Sequence, residues 1–172
     1  MNRRDFVGGA AAIAAASAIV APAQAAKPLI VCQRGLGGYI PTPWGGMDNL
    51  AQKIEARGYG KTIVVGPGVY PELAQKRPIA ILGISAGGAT ALEMAATCKP
   101  KVVITIDPTF NRGAVPGVKC FNIYNSLNVL GSNRVKGAIL NLDLQDVASL
   151  HIFLAHDKRV QMAALNLLGA NI

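Results

Sequence analysis

The sequence predicts an α/β fold of three layers, a mostly parallel sheet of about six strands with helices on both faces. Three observations predict it. Strand-length apolar runs recur without polar alternation, as expected of strands covered on both sides. Stretches of helical spacing separate them. Gly or Pro stands at most of the joints. At 172 residues, 51% hydrophobic and only 15% charged, the chain has the length of one domain and enough apolar surface for a buried core, which excludes a disordered polypeptide.

The first segment stands apart from that alternation. Arg3-Arg4-Asp5-Phe6-Val7 is followed by a charge-free, Ala-rich run over 8–22 and then by Ala23-Gln24-Ala25. A positive start, an apolar run shorter than the roughly 18 residues of a membrane span and an A-x-A site make a signal peptide. The Arg pair resembles the twin-arginine motif. Residues 1–25 are therefore expected to be a twin-arginine signal peptide cleaved after Ala25. The twin-arginine machinery would be a partner, and residues 26–172 a periplasmic or secreted domain.

Within that domain strands are expected at 29–33, 62–66, 79–84, 102–106, 118–124 and 135–142. Helices are expected at 47–57, 86–98 and 157–168, the last capped by Asp157, with a short one near 71–76. The Pro/Gly-rich stretch 35–46 has the composition of a functional loop. About ten residues separate the last two strands, fewer than a parallel crossover usually needs, and an antiparallel hairpin there would carry the following segment to the wrong sheet edge.

Lys and Arg total 17 against 9 Asp and Glu, a net charge of +8, while aromatic residues are only 5%. A basic surface without aromatic platforms argues against single-stranded nucleic-acid binding and leaves an anionic envelope surface as a candidate partner. Cys32, Cys98 and Cys120 have no metal-ligand spacing, and an odd number leaves at least one thiol unpaired. A Cys98–Cys120 bridge and three reduced thiols are both compatible with the sequence. No metal or cofactor motif is present.

The chemistry concentrates around Gly83-Ile84-Ser85-Ala86-Gly87-Gly88, a G-x-S-x-G pattern between an apolar strand and an Ala-rich helix. That context is what a nucleophile elbow requires. The serine sits on a strained turn above the sheet, and small neighbours are needed where a Cβ would collide. Ser85 is the candidate nucleophile, and the Ala86 amide at the helix start is a candidate oxyanion donor. A serine needs a histidine to take its proton and a carboxylate to orient that histidine. The histidines are His151, after the last expected strand, and His156, expected to begin the final helix; His151 fits the base better. Asp107 ends the strand that follows the nucleophile helix, at the carboxyl edge where α/β ligand sites lie, and is the preferred acid. Asp143 and Asp146 compete with it. The loop Arg34-Gly35-Leu36-Gly37-Gly38 follows the first strand, with Leu36 N–H as the second candidate oxyanion donor. It lacks the residues of a phosphate-binding loop. Leu36, Tyr39, Trp44 and Phe110 are candidates to line a shallow apolar groove for the substrate.

With Arg34-Gly35-Leu36-Gly37-Gly38, Gly83-Ile84-Ser85-Ala86-Gly87-Gly88, Thr105-Ile106-Asp107-Pro108 and Leu150-His151-Ile152 in that order, the chain resembles the α/β-hydrolase superfamily over most of 28–168. It is most similar to small cap-less lipase-like members such as cutinase-like esterases and short bacterial and phage hydrolases. Arg34 stands where many relatives carry His. The resemblance implies a minimal α/β-hydrolase fold and a Ser-Asp-His triad cleaving esters of small acyl groups or lipids, without cofactor. The segment 107–117 is too short for a helical lid, so the site is expected to be open. The alternative is a binding or structural protein on a reduced form of the same scaffold.

Overall fold

The computed structural model describes residues 26–36, 45–110, 113–130, 134–147 and 150–172. The expected leader, Tyr39 and Trp44 lie outside the described residues. Six parallel strands form one sheet, β1 (Leu29–Gln33), β2 (Lys61–Val65), β3 (Ala80–Ile84), β4 (Val102–Ile106), β5 (Lys119–Tyr124) and β6 (Leu140–Asp143). Their spatial order is β2-β1-β3-β4-β5-β6. The order reverses once, between β1 and β3, so both strands send their following loops to one crevice at the carboxyl edge.

Alternate residues of the buried strands face opposite layers, which accounts for apolar runs without a polar period. Ile30, Leu82, Ile104 and Ile123 pack against helices α1 (Gly46–Ala56) and α4 (Lys158–Gly169). Val31, Ile81, Val103 and Cys120 pack against α2 (Pro71–Gln75) and α3 (Ala86–Cys98). As expected, Asp157 caps α4, its side chain accepting from the amides of Arg159 and Val160. β1, β4 and α3 have the expected bounds, and the other elements shift by a residue or two except β6.

The last strand is the main correction. It begins at Leu140, not at 135, and pairs with β5 in parallel, Phe121 opposite Leu140. The run 135–139 was apolar enough to read as strand, but Val135 serves the opposite layer, fully buried beside Val115 and Val118. Asn141 fixes it there, donating to Val135 O at 3.1 Å and accepting from Val135 N–H at 2.7 Å. Asn122 donates to the same Asn141 Oδ1 at 3.0 Å and accepts from Thr105 Oγ1 at 2.8 Å. A polar chain thus crosses β4, β5 and β6 on that face, and the connection from 125 to 139 is long enough for a parallel crossover.

All three cysteines are free thiols. A Cys98–Cys120 bridge is not formed. Cys120 is buried in the sheet, whereas the Cys98 thiol donates to Met94 O on its own helix at 3.3 Å.

Candidate active site

Ser85 follows β3 directly, with φ 55° and ψ −125°, a left-handed backbone that an L-residue adopts only under constraint. Its N–H donates to Ile106 O at 3.0 Å, and its carbonyl accepts from the amides of Gly88 and Thr109 at 2.9 and 3.2 Å. The turn is possible because of its glycines. A Cβ on Gly83 would lie 2.2 Å from Gly87 O, and one on Gly87 would lie 2.3 Å from Arg34 O. α3 therefore starts against both β3 and the loop after β1, its N-terminus aimed at the serine hydroxyl.

Asp107 follows β4, fully buried and also at positive φ (45°). His151 opens a short 3₁₀-helix, His151–His156, and is 8% exposed. In the tautomer with its proton on Nδ1, His151 donates to Asp107 Oδ2 at 2.9 Å, and its Nε2 accepts from Ser85 Oγ at 2.8 Å. The three side chains lie 22 and 44 residues apart in sequence and meet only because β3, β4 and the segment after β6 end at one sheet edge. The 3₁₀-helix is held by its neighbours. Gln161 of α4 donates to Ala155 O at 2.7 Å, and the Gly46 N–H of α1 donates to His156 Nε2 at 3.1 Å. His156 accordingly ends this short helix and faces the start of α1. It does not begin the final helix, because Asp157 takes the cap position.

The loop after β1 meets the site from the other side. A Cβ on Gly35 would stand 3.1 Å from Ser85 Cβ and 3.6 Å from Ser85 Oγ, so only backbone separates Arg34 from Leu36 there. Arg34 turns away and pairs with Asp48 in the first turn of α1, donating from Nε to Oδ2 at 2.9 Å and from Nη2 to Oδ1. The guanidinium holds the Asp48 carboxyl below its ordinary range, and the carboxylate raises Arg34 in turn.

A cavity of about 500 Å³ opens over Ser85 and His151, with Leu36, Met47, Ile84, Phe110, Leu130 and Ile152 among its lining residues. Arg34 brings the one cation that lines it among the described residues, already paired with Asp48. Leu36 and Phe110 lie at the mouth, 68% and 87% exposed. Ala86 is the first residue of α3, directly after Ser85. Asp143 accepts from the Ser126 amide at 3.0 Å and Asp146 pairs with Arg159, so neither competing carboxylate meets His151. Among the described residues no group of three or more His, Cys, Asp or Glu could hold a metal ion.

This architecture has a counterpart among solved structures. The crystal structure of a Xanthomonas campestris pv. campestris protein, described as a candidate hydrolase of the alpha/beta superfamily, superposes with a TM-score of 0.58. The match covers 84% of this chain and 99% of that one, at 14% identity. The fold is of the α/β-hydrolase type. A second Xanthomonas campestris structure, described as a member of the a/b serine hydrolases without lid, superposes with a TM-score of 0.48 and 16% identity over 87% of this chain and 83% of that one. No family model matches the sequence, and neither does any curated protein.

Sequence reasoning missed two features of the site. One is the Arg34–Asp48 pair, for which an arginine next to the glycine loop and an acid in the first turn of a helix were the only signals. The other is Asn128, which donates to Asp107 Oδ2 at 3.1 Å from a loop that carried no motif.

Proposed function

We propose that the protein is an exported serine hydrolase that cleaves ester bonds, with Ser85 as nucleophile, His151 as general base and acid, and Asp107 as the group that orients the histidine. The observation that carries the proposal is the bridge made by one imidazole between Ser85 Oγ and Asp107 Oδ2. A buried carboxylate on Nδ1 fixes the tautomer that leaves Nε2 free to accept a proton, and it stabilises the imidazolium that results.

In acylation, Ser85 Oγ forms a bond to the ester carbonyl carbon as its proton passes to His151 Nε2. The carbonyl oxygen takes the negative charge, and the amides of Leu36 and Ala86 are the donors assigned to it. The bond from carbon to the alcohol oxygen then breaks, and His151 Nε2 returns the proton to the departing alcohol. Water attacks the acyl-serine by the same route, releasing the carboxylic acid and restoring the Ser85 hydroxyl.

The lining favours a neutral acyl group, since its residues are mostly apolar and the Arg34 charge is already matched. Phe110 lines the same groove. The segment 107–117 carries Pro108 and Pro116 and is too short for a helical cap, so soluble short and medium acyl esters should be turned over without a conformational opening step. Turnover of an ester series, measured below and above the aggregation point, tests this. A smooth profile with Ser85→Ala inactive is expected. Activity only on aggregated long-chain substrates would contradict the open site, and an active Ser85→Ala would contradict the triad.

A twin-arginine leader over 1–25 would send this chemistry to the periplasm or outside the cell, where the basic domain would meet anionic envelope surfaces. Changing Arg3→Lys together with Arg4→Lys should block export, because that route reads the pair and not its charge. Normal export of the double variant would point to the general secretory route.

A further inference from the structure

We propose that Asn128 is a positioning residue of the triad, donating to the same Asp107 carboxylate oxygen that the His151 ring engages. The inference rests on the triad reading above and adds a member to it.

Asp107 is fully buried, yet its Oδ1 has no hydrogen-bond partner among the described residues. Among the described residues both donors that reach Asp107 use Oδ2, His151 Nδ1 at 2.9 Å and Asn128 Nδ2 at 3.1 Å. An ionised carboxylate only accepts, so the contact identifies the Asn128 atom as its NH₂ nitrogen. A carboxylate held at one oxygen by one ring could swing about its terminal torsion. Two donors from different loops fix that oxygen in direction as well as distance. Asn128 is neutral, so it stabilises the anion without cancelling the charge that the imidazolium needs.

The loop is constructed to present this amide. Asn125 is 3% exposed, and its Oδ1 accepts from the Leu127 amide at 2.9 Å while its carbonyl accepts from the Asn128 amide at 3.0 Å. This is an Asx-turn nested in a β-turn. Asn125 Nδ2 donates to Val147 O at 2.8 Å, tying the turn to the segment that leads to His151. Asp143 secures the Ser126 amide from β6, and it is the titratable group that faces the back of the turn. One side-chain-capped turn therefore supports both ends of the Asp107–His151 contact.

The test compares wild type, Asn128→Ala and the isosteric Asn128→Asp by ester turnover and by the NMR shift of the His151 Nδ1–H proton. The chain has only two histidines, so His151→Ala assigns the resonance. Asn128→Ala should lower kcat roughly tenfold, the worth of one charge-assisted hydrogen bond, with KM nearly unchanged. It should also move the His151 Nδ1–H resonance, because the oxygen that accepts that proton has lost its second donor. Asn128→Asp puts a second acid on Oδ2. With the donor gone and an acid in its place beside Asp107, its kcat should fall further than that of Asn128→Ala.

A wild-type kcat and an unmoved His151 Nδ1–H resonance in Asn128→Ala would overturn the proposal. So would a loss confined to KM, or a wild-type kcat in Asn128→Asp. A protein that hydrolyses no ester but whose His151 Nδ1–H resonance moves in Asn128→Ala would leave the positioning role standing while the esterase reading failed.

Discussion

Asp143 and Asp146 stand a few residues before His151, yet the acid that reaches the imidazole is Asp107, 44 residues away. What selects it is burial and the strand it follows. The Asp107 amide donates to Ile123 O at 2.7 Å, which sets its carboxylate above the sheet edge, whereas Asp146 lies at the surface with Arg159. Asp107→Asn should lower kcat by about 10⁴-fold, since an amide favours the wrong histidine tautomer. Asp146→Asn should stay near wild type, and steady-state kinetics of the two variants checks the assignment. Gly83→Ala would push a methyl to 2.2 Å from Gly87 O, a backbone atom that cannot yield cheaply. A loss of at least about 1–3 kcal/mol, read as a lower urea midpoint, is expected from overpacking of this kind. At this scale the sequence was informative wherever chemistry demanded a pattern, as at Ser85 and its glycines. It was silent at Asn128, because an asparagine in a loop has many uses and only the fold shows which carboxylate it faces.

The elements that read well are those whose burial is uniform. β1, β4 and α3 lie in the middle of the sheet or directly on it, and their apolar runs end where burial ends. β6 read poorly because it is an edge strand of four residues with only partial burial, preceded by an apolar segment that packs in a different layer. Hydropathy alone cannot separate two adjoining apolar stretches that face different layers, and the Asn141 clamp on Val135 that separates them is a tertiary contact. The 3₁₀-helix that carries His151 likewise depends on Gln161 and Gly46, which belong to other elements. Asp157, by contrast, was legible as a cap from its place before the last helical stretch. Asp157→Ala should cost about 1 kcal/mol through the lost bonds to the Arg159 and Val160 amides. The urea midpoint reads this directly, and because α4 holds the His151 segment, turnover should begin to fall at a lower temperature than in wild type.

Across the whole molecule the sheet order brings three loops to one edge, and the same burial governs the response to pH. Burial, reinforced by the charges of Asp48 and Glu55, pushes the Cys32 thiol from its ordinary value of 9.0 up to about 12. The folded state then keeps a proton that the unfolded chain releases. The associated stability is complete below pH 9 and is lost as pH rises toward 12. Cys32→Ala should flatten the fall in unfolding free energy over that window, and an unchanged slope would show that another group dominates. The central claim is that the three loops assemble a working nucleophile at Ser85. Its most direct test is reaction of the purified domain with a fluorophosphonate, followed by mass analysis of the modified peptide. The account predicts one adduct per chain on Ser85, absent in Ser85→Ala and much slower to form in His151→Ala. An adduct on another residue, or none on a folded protein that still hydrolyses esters, would contradict it.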